Sequence, residues 1–265
     1  MTVRKWLAAA ALAVGTALGS ATAADPARPV YGFGTLKAVP VADAKSKVEA
    51  WLKAADKFDQ AKFDAVWSRE GRSALDRTVD SILLGLPEAA DALAEARIPG
   101  ATAPTAVPAA IRDAKDPFVK ANLAAAYAKA LTGRKVYEEA LDVLKGVQPE
   151  QLVDPAGFYF HKAVAEHALI QREAAVGTLA RLLDDVPDAP DRYRIVATLM
   201  FFDLQNWSKD EKDLSNITRL MDNSGRRLEL ARGGPKTQDI QKKIVFRLDE
   251  KIKELEAQRK KSGGT

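Results

Sequence analysis

The chain of 265 residues contains no cysteine, which excludes disulfides, thiolate metal sites, c-type haem attachment and a lipidated N-terminal cysteine. Only two histidines are present, His161 and His167. Six residues apart on one helix, their side chains point about 240° apart, so they do not make a joint metal site. Glu166-His167 is not accompanied by the rest of any zincin motif, and there is no P-loop, no G-x-S-x-G and no dinucleotide fingerprint. Adjacent acidic pairs such as Glu138-Glu139 and Asp184-Asp185 do not converge on one substrate from a helix and read as solvated face. From these absences we expect no catalytic residues, no metal site and no cofactor. No stretch of alternating β-branched and polar residues is long enough to form a sheet.

Apolar runs are also short. The one without charge, Trp6 to Leu18, follows Arg4 and Lys5 and precedes Ser20, Ala21, Thr22, Ala23 and Ala24. A dozen apolar residues are too few to cross a bilayer, which takes roughly 20, and the pattern is that of a secretory signal peptide over 1–23 cleaved after Ala23. An exported protein, periplasmic or extracellular, is the expectation, with no integral membrane segment after cleavage. Setting Arg4 and Lys5 aside leaves 38 basic and 36 acidic residues. Residues 205–265 hold 15 basic and 10 acidic ones, so an acidic body carries a mildly basic tail. That density is too low for a nucleic-acid partner.

What is present is helical periodicity. Residues 24–40, with Pro26, Pro29, Gly32, Gly34 and Pro40, read as an extended linker. Residues 41–97 read as N-terminal hairpins of four helices, capped by Asp43, Asp59 and Ser73, with Pro87 opening the fourth. The stretch 98–110, with Pro99, Gly100, Pro104 and Pro108, reads as a mobile linker and a boundary near Ala103. Over 111–207, Asp116-Pro117 and Asp154-Pro155 are cap and first-turn pairs, Pro190 opens a further helix, and Gly133 and Gly146 are placed to end helices. Capping helices occupy 208–260, started by a Ser208/Glu211 capping box. The last of them carries Ile244, Leu248, Ile252 and Leu255 as a stripe, before a disordered tail at 261–265.

At a period of 35, Ala124, Ala128, Ala140 and Leu144 align with Tyr159, Ala163, Ala175 and Leu179. Small residues recur where two helices approach closely, and large ones where a hairpin meets its neighbour. Together with Leu182 and Pro187, the second set resembles the tetratricopeptide repeat over roughly residues 116–187. It departs from that pattern at Lys162 and Leu152 and in being one residue longer. The unit 191–223 keeps a hairpin with Thr198 and Asp210 at the small positions. The C-terminal third is similar to exported bacterial helical proteins, a likeness that implies no activity.

The resemblance implies an all-α fold of antiparallel hairpins stacked as a short tetratricopeptide-like solenoid with long C-terminal helices. It places Asn122, Ala125 and Lys129, and then Phe160, Val164 and His167, in a ligand groove. Val164 stands where a carboxylate clamp would want asparagine, so a mixed apolar groove is implied instead. Arg226, Arg227, Arg232 and Lys236 form a basic elbow. It reads either as a docking patch for an acidic partner, or as helix-end cations before a Gly-Gly stop. The function expected is an extracytoplasmic scaffold that binds another protein or peptide of the cell envelope without catalysis. Its alternatives are an envelope glycan-binding or glycan-processing protein with a helical body, and an oligomer joined through the last helix.

Overall fold

The computed structural model describes residues 33–262. The signal-peptide reading of 1–23, most of the linker reading of 24–40 and the last three residues of the tail lie outside them. Among the described residues there are twelve α-helices, one 3-10 turn and no strand. None of the helices is long and apolar enough to cross a membrane.

The chain enters along the surface of its own middle. Gly34 and Leu36 donate to the carbonyls of Asp184 and Asp185 (2.9 Å each), Ala38 donates to Asp188 Oδ2 (3.0 Å), and Val39 to the carbonyl of Val153 (3.2 Å). With its polar backbone satisfied in this way, the irregular segment can lie against protein and bury Leu36. The first four helices are α1 (Val41–Ala54), α2 (Gln60–Trp67), α3 (Ala74–Gly85) and α4 (Glu88–Arg97). Asp59 and Ser73 cap as their chemistry demands, accepting from Lys62 N and Asp76 N. Asp43 does not. Pro40 precedes the first helical residue, and Asp43 sits inside the first turn, where its charge meets the helix dipole.

These four helices do not make two separate hairpins. Helices α1 and α2 both lie on α3, and α3 and α4 both lie on α6 (Pro117–Gly133). Gly85 permits the first packing, because a Cβ there would stand 2.8 Å from both Trp51 and Leu52 side chains.

The expected boundary near Ala103 is absent. The Pro/Ala segment buries Val107, and its short helix α5 (Ala109–Arg112) buries Ile111. Arg134 donates to the carbonyls of Glu95 (3.3 Å), Ala101 and Thr102 (3.4 Å), while Arg232 Nη2 donates to that of Pro104 (2.9 Å). Two guanidiniums, distant in sequence, supply the donors that a proline-rich segment cannot find in itself.

The centre is built from α6, α7 (Tyr137–Leu144), the 3-10 turn Pro149–Gln151, α8 (Pro155–Ala168), α9 (Arg172–Asp185) and α10 (Asp191–Gln205). Asp116 and Asp154 cap α6 and α8 ahead of first-turn prolines, as their order requires. Helices α6 and α7 pack as an antiparallel pair, as do α8 and α9, and α8 lies against both members of the first pair. Ala124, Ala128, Ala140, Ala163 and Ala175 are all at most 1% exposed. Such small side chains let backbones approach where leucine would hold them apart.

The repeat is also written in the turns. Lys135 (φ 60°) and Ile170 (φ 62°), 35 positions apart, are left-handed non-glycine residues between the paired helices. The bonds Val136 N to Leu131 O and Gln171 N to Glu166 O, both 2.9 Å, close the same loop in each. Gly133, expected to end α6, is its last residue, but the left-handed step falls at Lys135.

The expected third hairpin is a different structure. Ser208 Oγ accepts from Asp210 N (3.1 Å) and closes a turn, and Glu211 pairs with Arg247, so no capping box forms. Asp213 instead caps α11 (Leu214–Glu229) by accepting from Ser215 N. Helix α11 then pairs chiefly with α12 (Pro235–Ser262), not with α10. Because α12 continues to Ser262, Lys261 and Ser262 belong to the helix and not to a tail.

Candidate functional site

The groove residues are not brought together on an open surface. Asn122 is fully buried. Its Nδ2 donates to the carbonyls of Phe118 (2.8 Å) and Gln151 (3.0 Å), and its Oδ1 accepts from Val153 N (2.9 Å). The amide thereby ties the turn before α8 to α6, a structural role that meets its hydrogen-bonding needs internally. Lys129 is half-buried, 3.8 Å from Asp76 on α3. Phe160 stacks on Tyr193 of α10 (4.2 Å between centroids, 15° between planes). His167 Nε2 lies 2.8 Å from Asp203 Oδ2, which also accepts from Trp207 Nε1 (2.8 Å). Val164, on the same face, is half-buried. Helix α10 therefore covers the side of α8 that the repeat pattern assigned to a ligand.

The second histidine is internal. Thr132 Oγ1 lies 2.9 Å from both the Ala128 carbonyl and His161 Nδ1. The hydroxyl donates to the carbonyl and accepts the Nδ1 proton, which leaves His161 Nε2 buried and without a partner. Burial, with the nearby charges of Lys129 and Arg192, holds the imidazole down to a pKa of about 4. Among the described residues no group of three or more histidine, aspartate and glutamate side chains is placed to hold a metal ion.

The basic elbow turns inward. Arg226 makes a two-pronged contact with Glu138 (2.9 Å on each oxygen), and its Nη1 also donates to the carbonyl of Lys135 (2.8 Å). Arg227 pairs with the same carboxylate and donates from Nε to Thr237 Oγ1 (2.8 Å). Arg232 lies 3.5 Å from Glu138 and 2.9 Å from Glu139. Burial alone would raise the Glu138 pKa, but the hydrogen bonds and charge of Arg226, with the charge of Arg227, hold it down to about 2. Arg226 and Arg227 are each 8% exposed, so they are not a docking surface; of the four, Lys236 alone is exposed. Their carboxylate partners begin α7, where a helix N-terminus favours negative charge.

Beside this cluster lies a recess of about 620 Å³ lined by Glu139, Asp142, Lys145, Lys162, Glu166 and Lys236, with Leu141 and Phe158 among its apolar walls. Glu166 is 4% exposed, and burial raises its pKa against the opposing pull of a Thr178 hydrogen bond and of Lys162, 3.7 Å away. Charges of both signs are interleaved here, so the recess favours no one ligand charge.

An exposed apolar stripe on α10 was not singled out from sequence. Helix α10 buries Tyr193, Ala197 and Leu204 on one side and exposes Ile195 (61%), Leu199 (64%) and Phe202 (57%) on the other. At i, i+4 and i+7 these form one stripe. Its spacing was readable, but the inward set has the same period, and the sequence does not say which of the two sides the other described helices cover. No protein-family model matches the chain, and neither a curated protein nor a solved structure shows significant similarity to it.

Proposed function

We propose that the chain is an exported, non-catalytic scaffold of tetratricopeptide-like hairpins, and that the outer stripe of α10 receives an amphipathic helix of another envelope protein. The observation that carries this is the stripe itself, three large apolar side chains each more than half exposed at helical spacing. Hairpin stacks grow by laying one helix on the last, and Ile195, Leu199 and Phe202 occupy the side on which a further helix would rest. Exposed Asp191 and Arg192 border the stripe on its two sides, so the partner helix carries charges of both signs beside its apolar face. The alanine repeat buried at the centre supports the hairpin reading, and the Trp6 to Leu18 run supports export.

Leu199→Glu tests this, since it places a charge in the stripe at a position 64% exposed. Crosslinked capture from envelope extracts is compared between the wild-type protein and this variant, and the interacting segment of any protein lost is then synthesised. The segment is expected to be an amphipathic helix whose affinity falls about tenfold or more on substitution. Identical capture by both proteins, or a lost partner whose contact segment is not an amphipathic helix, sinks the reading.

A further inference from the structure

The α11–α12 hairpin carries a second apolar face. Leu214, Met221 and Leu228 recur every seven residues on α11, and Val245, Ile252 and Leu255 follow a heptad pattern on α12, completed by half-buried Leu248. The first six are each 50–61% exposed.

Both stripes lie on the same side of the hairpin. At about 100° per residue, Leu214, Met221 and Leu228 sit opposite Arg219, Asn223 and Arg226, which line the hollow against α7 and α8. On α12, Thr237, Ile244 and Glu254 mark the face toward α11, through Arg227 Nε to Thr237 Oγ1 (2.8 Å), buried Ile244, and Lys212 Nζ to Glu254 (2.7 Å). The α12 stripe lies about a quarter turn round from that face. For antiparallel right-handed helices, the direction of that turn brings it to the side where the α11 stripe lies, away from the body.

We propose that this face is covered by a second copy of the chain, two α11–α12 hairpins closing into an antiparallel four-helix bundle about a two-fold axis parallel to the helices. Such an axis sets α11 of each copy against α12 of the other, so every neighbouring pair is antiparallel. It also keeps every residue at its own height. The contacts of Lys212 with Glu250 and Glu254, and of Arg227 with Thr237, define those heights. Leu214 is then level with the Leu248 to Ile252 turn of the second copy, and Met221 is level with Val245 to within about two residues. Between the α11 stripe and that hollow, which it also borders, exposed Asp222 is level with the second copy's exposed Lys242; neither makes an ion pair among the described residues. Leu255 lies beyond the start of α11 and outside the contact; the other five half-exposed side chains offer about 500 Å² per copy, or about 1,000 Å² for the pair, the lower limit of specific interfaces.

Sedimentation equilibrium of the full protein tests this, with circular dichroism confirming that each variant is folded. The wild type is expected at twice the chain mass at about 50 µM, within the range typical of such interfaces. Ile252→Glu, at a site 53% exposed in the single chain, is expected to raise the dissociation constant about 100-fold or more. Asp222→Lys and Lys242→Asp are each expected to weaken association about three- to tenfold, and the double exchange to restore it. A wild type that stays monomeric overturns the proposal, as does a dimer that survives Ile252→Glu or is broken by Leu199→Glu on α10. A double exchange no tighter than the singles overturns the arrangement about this axis.

Discussion

Glu138→Ala is expected to cost about 3–5 kcal/mol of folding stability, the range for removing one partner of a buried ion pair. The side chain is 16% exposed, and the arginine side chains around it are 7% (Arg226), 9% (Arg227) and 18% (Arg232) exposed. With the carboxylate gone, Arg226 retains the Lys135 carbonyl and Asn223 Oδ1, and Arg227 retains Thr237, but their charges lose the anion that offsets desolvation. Glu139 still meets Arg232 and cannot neutralise three cations. Since the same cluster ties the α11–α12 hairpin to the start of α7, the loss should fall first on that attachment. Urea denaturation is the measurement. The wild-type midpoint in Glu138→Ala, or an equal loss in a variant of exposed Glu229, would show that the cluster does not hold the hairpin.

The second large effect is on pH dependence. His161 has a folded pKa of about 4 against an ordinary 6.5, so the unfolded chain binds the proton more tightly. Its stabilising contribution is complete above pH 6.5 and is lost as pH falls from there toward 4, by up to about 3 kcal/mol over the whole interval. Buried Glu166 and half-buried Asp154 have raised pKa values and oppose this trend, because the folded state holds their protons more tightly. Glu138 acts lower, between the ordinary carboxylate value of 4.5 and about 2. Comparing wild type with His161→Gln isolates the imidazole. Glutamine keeps a donor for Thr132 but cannot take up a proton, so the variant should lose less stability between pH 7 and pH 5. Parallel curves for the two proteins would contradict a buried, neutral His161.

Elements set by local chemistry were legible in the sequence. Asp59, Ser73, Asp116 and Asp154 cap because a short side-chain acceptor stands just before a helical stripe, and Ala128 and Ala163 are buried because small residues recur at a fixed interval. What failed depends on partners far away in the chain. Arg226 looked like surface charge because Glu138 is 88 residues distant, and residues 98–110 looked mobile because Arg134 and Arg232 come from elsewhere. Helix α11 was expected to pair with α10 because the unit 191–223 continues the hairpin repeat by position, whereas its partner α12 follows it in the chain. The site was less legible still. Phe160 and His167 were placed by position in a repeat, and nothing in that position foretold that α10 would lie over them. The left-handed steps at Lys135 and Ile170 carry no glycine to mark them.

Amide hydrogen exchange tests the central claim most directly, that the molecule is held by helices meeting closely through alanines in α6 and α8. Amides of Leu123 to Ala128 and of Ala163 to Glu166 should exchange only on global unfolding, while those of residues 255–262, on the exposed end of α12, should exchange far faster. Exchange in the α6 and α8 segments as fast as at the end of α12 would contradict a packed alanine centre and, with it, the fold on which both proposed surfaces depend.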